Sequence, residues 1–118
     1  MSADEGGSLK HSTYYRPTIL ILLEQHDSYG YELSRRIIEL GFDQRLASNL
    51  YNVLRDMENE ELITSAWDMS ERGGTPRRMY APTALGKQYL VDSVPLLIRQ
   101  YQALGATLAL YSTLDARN

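Results

Sequence analysis

Cysteine is absent from this 118-residue chain. Its absence removes any disulfide framework and any thiolate metal site, and it suits the reducing cytoplasm, the expected location. Histidine is scarce. His11 and His26 do not stand in a metal-ligand spacing such as His-x-x-x-His. No Gly-x-Ser-x-Gly elbow is present for a nucleophile. The pair Gly73-Gly74 lacks the strand-loop-helix setting of a phosphate loop. The chain is therefore not expected to be an enzyme, and it calls for no cofactor and no metal. A bilayer-long apolar run is also missing. Ile19-Leu20-Ile21-Leu22-Leu23 is far too short to span a membrane, so no membrane partner is expected. Met1-Ser2-Ala3-Asp4-Glu5-Gly6-Gly7-Ser8 has none of the apolar core of a signal peptide, and residues 1–13 read as a flexible tail. An excess of positive charge is lacking as well. Twelve basic residues against fifteen acidic ones leave a net charge of −3. That argues against a nonspecific polyanion binder, whose whole surface would be basic, but it leaves room for a local basic site.

What is present describes one small globular domain. Hydrophobic residues make up 43% of the chain, enough for a single core. Pro17 suits the first turn of a helix, and residues 17–26 are expected to form a centrally buried one. Asp27 and Ser28 offer N-caps for a second helix running to Leu40, with Leu33, Ile37 and Leu40 on one stripe. Gly41 stops that helix. A short connection, Phe42 to Leu46, leads to a third helix over residues 47–61, with Leu50, Leu54 and Met57 facing the core. Thr83 can cap a long last helix. Its apolar positions Leu90, Val94, Leu97, Tyr101, Leu104, Leu108 and Tyr111 alternate in steps of four and three. That is the seam of a coiled coil, so the expected partner for it is a second copy of the chain. Pro95 predicts a kink or a broken first turn.

Between the third helix and the last lies Ser70-Glu71-Arg72-Gly73-Gly74-Thr75-Pro76-Arg77-Arg78, with three arginines and one acid in nine residues. Its flanks, residues 62–67 and Met79-Tyr80, are rich in β-formers, so the stretch reads as a hairpin with a basic tip. Taken alone it could be a solvated surface hairpin. Three helices followed by a basic hairpin, however, form the order of a winged helix-turn-helix, which sets a helix in the DNA major groove and a hairpin beside the backbone. The expected fold class is mainly α with a small β-hairpin. Residues 14–82 form the winged domain, and residues 83–118 form a dimerisation helix and tail. On the third helix Ser48, Asn49 and Asn52 would face base edges, while Tyr51 and Arg55 would meet backbone. Arg72, Arg77 and Arg78 would hold the wing on phosphate or in the minor groove, and Arg35 and Arg36 would neutralise a neighbouring phosphate. Tyr14, Tyr15, Tyr101 and Tyr111 could line a ligand pocket at the dimer interface, although packing in core or interface is the commoner role for such aromatics. The rival reading is a winged module that binds a protein partner through the acids Asp56, Glu58, Glu60 and Glu61.

These pieces resemble the PadR family of bacterial transcriptional regulators. The resemblance rests on Tyr29-Gly30-Tyr31-Glu32-Leu33, Leu50-Tyr51-Asn52-Val53-Leu54-Arg55 and Glu60-Glu61-Leu62-Ile63. It also rests on Arg72-Gly73-Gly74-Thr75-Pro76-Arg77-Arg78-Met79-Tyr80 and Thr83-Ala84-Leu85-Gly86. It covers roughly residues 15–90 and implies a winged helix-turn-helix followed by a dimerising C-terminal helix of the compact branch. The expected partners are then double-stranded operator DNA, a second copy of the chain and, as an open class, a small aromatic ligand. Most members are repressors. The chain departs from the family pattern at Leu46-Ala47-Ser48-Asn49, where a Pro or Gly usually precedes the recognition helix, and at Glu61, where glycine is common.

Overall fold

The computed structural model describes residues 3–69 and 74–117, with side chains over 14–69 and 74–114. In chain order the elements are α1 (Ala3–Gln25), β1 (Ser28–Tyr29), α2 (Gly30–Glu39), α3 (Gln44–Ser48), α4 (Leu50–Asn59), β2 (Ile63–Asp68), β3 (Arg77–Pro82) and α5 (Ala84–Arg117). The three strands form one antiparallel sheet in the order β1-β3-β2.

The first helix starts earlier than expected. Pro17 lies inside α1, not in its first turn, so one backbone hydrogen bond is missing there. Ile19, Leu20, Leu22 and Leu23 are buried at the centre of the core, whereas Ile21 is exposed. The expected caps of the second helix are also corrected. Ser28 pairs with Tyr80 in the sheet and is fully buried, its Oγ donating to the His26 carbonyl at 3.1 Å. The helix begins two residues later, and Glu32 Oε1 accepts from the Tyr29 N–H at 2.9 Å. Leu33 and Ile37 are buried, but Leu40 is 59% exposed. The helix ends at Glu39, and Gly41 turns the chain away at φ 103°, so Leu40 lies off the stripe.

The expected connection and third helix are divided differently. Asp43 caps α3 by accepting from the Arg45 N–H at 2.8 Å. Asn49, at φ −99° and ψ 5°, separates α3 from α4. Leu50, Val53, Leu54 and Met57 give α4 a buried face at helical spacing. Beyond α4, Glu61 takes φ 63°, the left-handed region.

The junction with α5 is tight. Thr83 donates its N–H to the Leu62 carbonyl at 3.1 Å and its hydroxyl to the Glu61 carbonyl at 2.6 Å. The same hydroxyl caps α5 by accepting from the Gly86 N–H at 2.9 Å. A Cβ on Gly86 would lie 2.0 Å from the Leu62 carbonyl oxygen, so only glycine fits. Arg16 of α1 closes the junction with a bidentate pair to Glu60, at 3.0 and 2.7 Å. From there α5 continues through Pro95, where a kink or a broken first turn was expected, without a break in the helix. It extends the molecule to 63 Å along its longest axis.

Candidate nucleic-acid interface

The buried positions of α4 are 50, 53, 54 and 57, so its outward strip is centred on Asn52 and Arg55. Both are exposed, as is Ser48 just upstream. Ser48 and Asn49 belong to α3 and to the joint, not to α4 itself. Asn49 Oδ1 accepts from Asn52 Nδ2 at 2.7 Å, which orients the Asn52 amide across the joint. Tyr51 and Arg55 turn toward the hairpin along one flank of this strip.

That flank is one wall of a cleft of about 490 Å³ between α4, the start of α2 and the hairpin. Tyr29 and Tyr31 stack with ring centroids 5.7 Å apart and planes 11° apart. The Arg77 guanidinium lies 5.1 Å from the Tyr31 ring and 5.7 Å from that of Tyr29. It also donates to the Tyr31 hydroxyl at 3.2 Å. The Tyr29 hydroxyl is bonded to the Asp68 carboxylate on β2. Gly30 lets the Tyr51 ring lie close between the two tyrosines, since a Cβ there would meet that ring at 2.7 Å and push it aside. Tyr80 also lines the cleft, and burial pushes its hydroxyl pKa above the ordinary phenol value.

Arg78 faces a different set of partners. Its guanidinium covers Trp67 at 4.9 Å, and its Nε donates to Ser65 Oγ at 2.9 Å. Ser65 in turn donates to Glu58 Oε2 on α4 at 2.8 Å. The two arginines sit at the loop end of β3, Arg77 opposite Asp68 and Arg78 opposite Trp67 on β2. Arg72 lies outside the described residues. Sequence reasoning did not select Tyr29, Tyr31 and Trp67 as site residues. The signal for the first two was the Tyr-Gly-Tyr motif, whose small central residue allows the close approach of Tyr51.

The arginines of α2 are not drawn into this cleft. Arg35 reaches Glu39 at 3.8 Å on an exposed face. Arg36 bonds Gln25 and lies 3.4 Å from His26 Nε2, tying α2 to the end of α1. The four tyrosines proposed for a ligand pocket do not converge within one chain. Tyr15 is core, and burial raises its hydroxyl pKa. Tyr14 reaches Gln100 at 3.5 Å, while Tyr101 and Tyr111 are exposed. Along the seam, Leu90 packs against the core and Leu97 is half-buried. Val94, Tyr101, Leu104, Leu108 and Tyr111 lie open. Among the described residues, no helix is long and apolar enough to cross a membrane.

Comparison with known proteins extends this geometry. The model of the transcriptional regulator PadR-like family matches residues 19–92. An uncharacterized protein of Lysinibacillus sphaericus is 36% identical over 78 residues, covering 64% of this chain and 71% of that one. A PadR family transcription regulator from Clostridium difficile superposes with a TM-score of 0.63 at 29% identity, covering 80% of this chain and 98% of the other. Bacillus subtilis PadR, solved in complex with operator DNA, superposes with a TM-score of 0.60 at 30% identity. There the match covers 67% of this chain and 46% of that protein.

Proposed function

Because the chain belongs to the transcriptional regulator PadR-like family, a family of regulators and not of enzymes, we propose that it acts as a homodimeric, sequence-specific repressor. In this reading α4 enters the major groove of an operator, and the hairpin lies along the neighbouring backbone. The observation that carries it is the outward strip of α4. Asn52 and Arg55 stand opposite the core-facing leucines, with the Asn52 amide held by Asn49. An asparagine amide so placed can bond adenine in a bidentate manner. Arg55, Arg77 and Arg78 gather beside that strip in a protein whose net charge is −3. Attraction to DNA is therefore local to this face.

The dimer reading draws its support from α5, whose distal seam has no cover within one chain. The rival reading, in which the acids at the end of α4 meet a protein partner, loses support from the engagement of two of the four. Glu60 is paired with Arg16, and Glu58 accepts from Ser65. A mobility-shift assay on the DNA upstream of the protein's own gene tests the proposal. A discrete complex that resists competition by random duplex is expected. Equal competition by any duplex would sink sequence-specific reading.

A further inference from the structure

We propose that the cleft between α4 and the hairpin seats one backbone phosphate of bound DNA in each protomer, gripped by Tyr31 and Arg77. This rests on the DNA-reading role of α4 and adds a pair of ligands from outside that helix. The Tyr31 hydroxyl already accepts a hydrogen bond from Arg77 Nη1, which leaves its own proton to donate outward. An anionic oxygen is the strongest acceptor it could find. The guanidinium lies over the Tyr29–Tyr31 pair, and Tyr29 is itself anchored through Asp68. An arginine positioned in this way loses little rotamer freedom on binding, which is the advantage of a preassembled site.

Charge within the cleft favours an anion. Arg55, Arg77 and Arg78 all line it. Among its lining residues these three guanidiniums face a single carboxylate, that of Glu58. Position favours DNA as the source of that anion. The cleft runs along the Tyr51–Arg55 flank of α4, directly beside the strip that would enter the major groove. A helix in the major groove has a phosphate ridge on either side. Tyr29 serves as the positioning residue, and Tyr31 and Arg77 are the contacts.

Methylphosphonate scanning tests this on a duplex recovered by binding-site selection with the full-length protein. Neutralising one phosphate per half-site is expected to weaken the wild type about tenfold. Tyr31→Phe, which keeps the stacked ring, is expected to weaken binding to the unmodified duplex five- to tenfold. On the duplex carrying that one methylphosphonate it should cause no further loss. Arg77→Lys, which retains charge without the flat fork, should show the same position-specific coupling. Loss factors that simply multiply at every methylphosphonate position would overturn the clamp while leaving DNA reading intact. So would unchanged affinity in both variants. Failure of the selection to enrich any duplex would overturn the DNA-reading role itself, and the clamp with it.

Discussion

Glu61 occupies a backbone conformation that side chains resist. Its φ of 63° places Cβ close to the following carbonyl, which costs about 1–2 kcal/mol for an L-residue. Glycine removes that strain but loses more entropy on folding, by roughly 0.5–1 kcal/mol. Glu61→Gly is therefore expected to stabilise the protein by about 0.5–1 kcal/mol in urea unfolding, and an unchanged midpoint would count against strain at this turn. The neighbouring Glu60 gives a pH dependence. The Arg16 hydrogen bonds hold its carboxyl below the ordinary carboxylate range. Its folded pKa lies under its unfolded one, so the pair stabilises fully above the usual carboxylate pKa. That stabilisation is lost as pH falls through the depressed folded value. The stability gap between wild type and Glu60→Gln should close on acidification, and a gap constant from neutral pH to strong acid would exclude this ion pair as its cause.

The elements of the site divide their tasks. On α4, Asn52→Ala is expected to cost about 1–3 kcal/mol of discrimination at one or two base pairs. Binding-site selection reads this directly, and an unaltered preference would mean that Asn52 does not read bases. On β3, adjacent arginines should behave differently. Arg78 joins the hairpin to α4 through Ser65 and Glu58, and it covers Trp67. An exposed cation–π contact is worth about 0.5–1 kcal/mol. Arg78→Ala should therefore lower unfolding stability by about 1 kcal/mol. Arg77→Ala should instead flatten the salt dependence of DNA binding by roughly two units, at about 0.9 for each phosphate contact in a two-fold dimer. Salt titration of the two variants separates these roles, and identical slopes would refute the division.

At the scale of the whole molecule, α5 is the feature without an intramolecular explanation. No charged residue occurs between Arg99 and Asp115, and Tyr101, Leu104, Leu108, Leu110, Tyr111 and Leu114 are all exposed. Burying one such leucine contributes roughly 1.5–3 kcal/mol, so several together suffice to hold two chains. A second copy of α5 is the expected cover. Leu104→Glu would place a charge in that seam and should convert a dimer to a monomer at low micromolar concentration by sedimentation velocity. A variant that still sediments as a dimer would place the interface elsewhere. The same measurement bears on DNA binding, because both half-sites must be held at a fixed spacing.

The sequence by itself determined the features that depend on near neighbours. The spacing of Leu50, Leu54 and Met57 marked the core face of α4, and Thr83 marked the start of α5. Gly41 marked the end of α2. Periodicity and caps are properties of a few consecutive residues, so they are legible without a fold. Only the tertiary structure decided what distant segments do to one another. Ser28 looks like a helix cap, yet pairing with Tyr80 drew it into a strand. Arg36 reaches back to the end of α1, a contact that no local pattern shows. Arg77 stands 46 residues beyond Tyr31 in the chain, and the folding of β3 against β1 set it against the Tyr29–Tyr31 pair. Hydrogen bonds and ring contacts between remote segments depend on the packed arrangement of the whole chain, which no local pattern encodes.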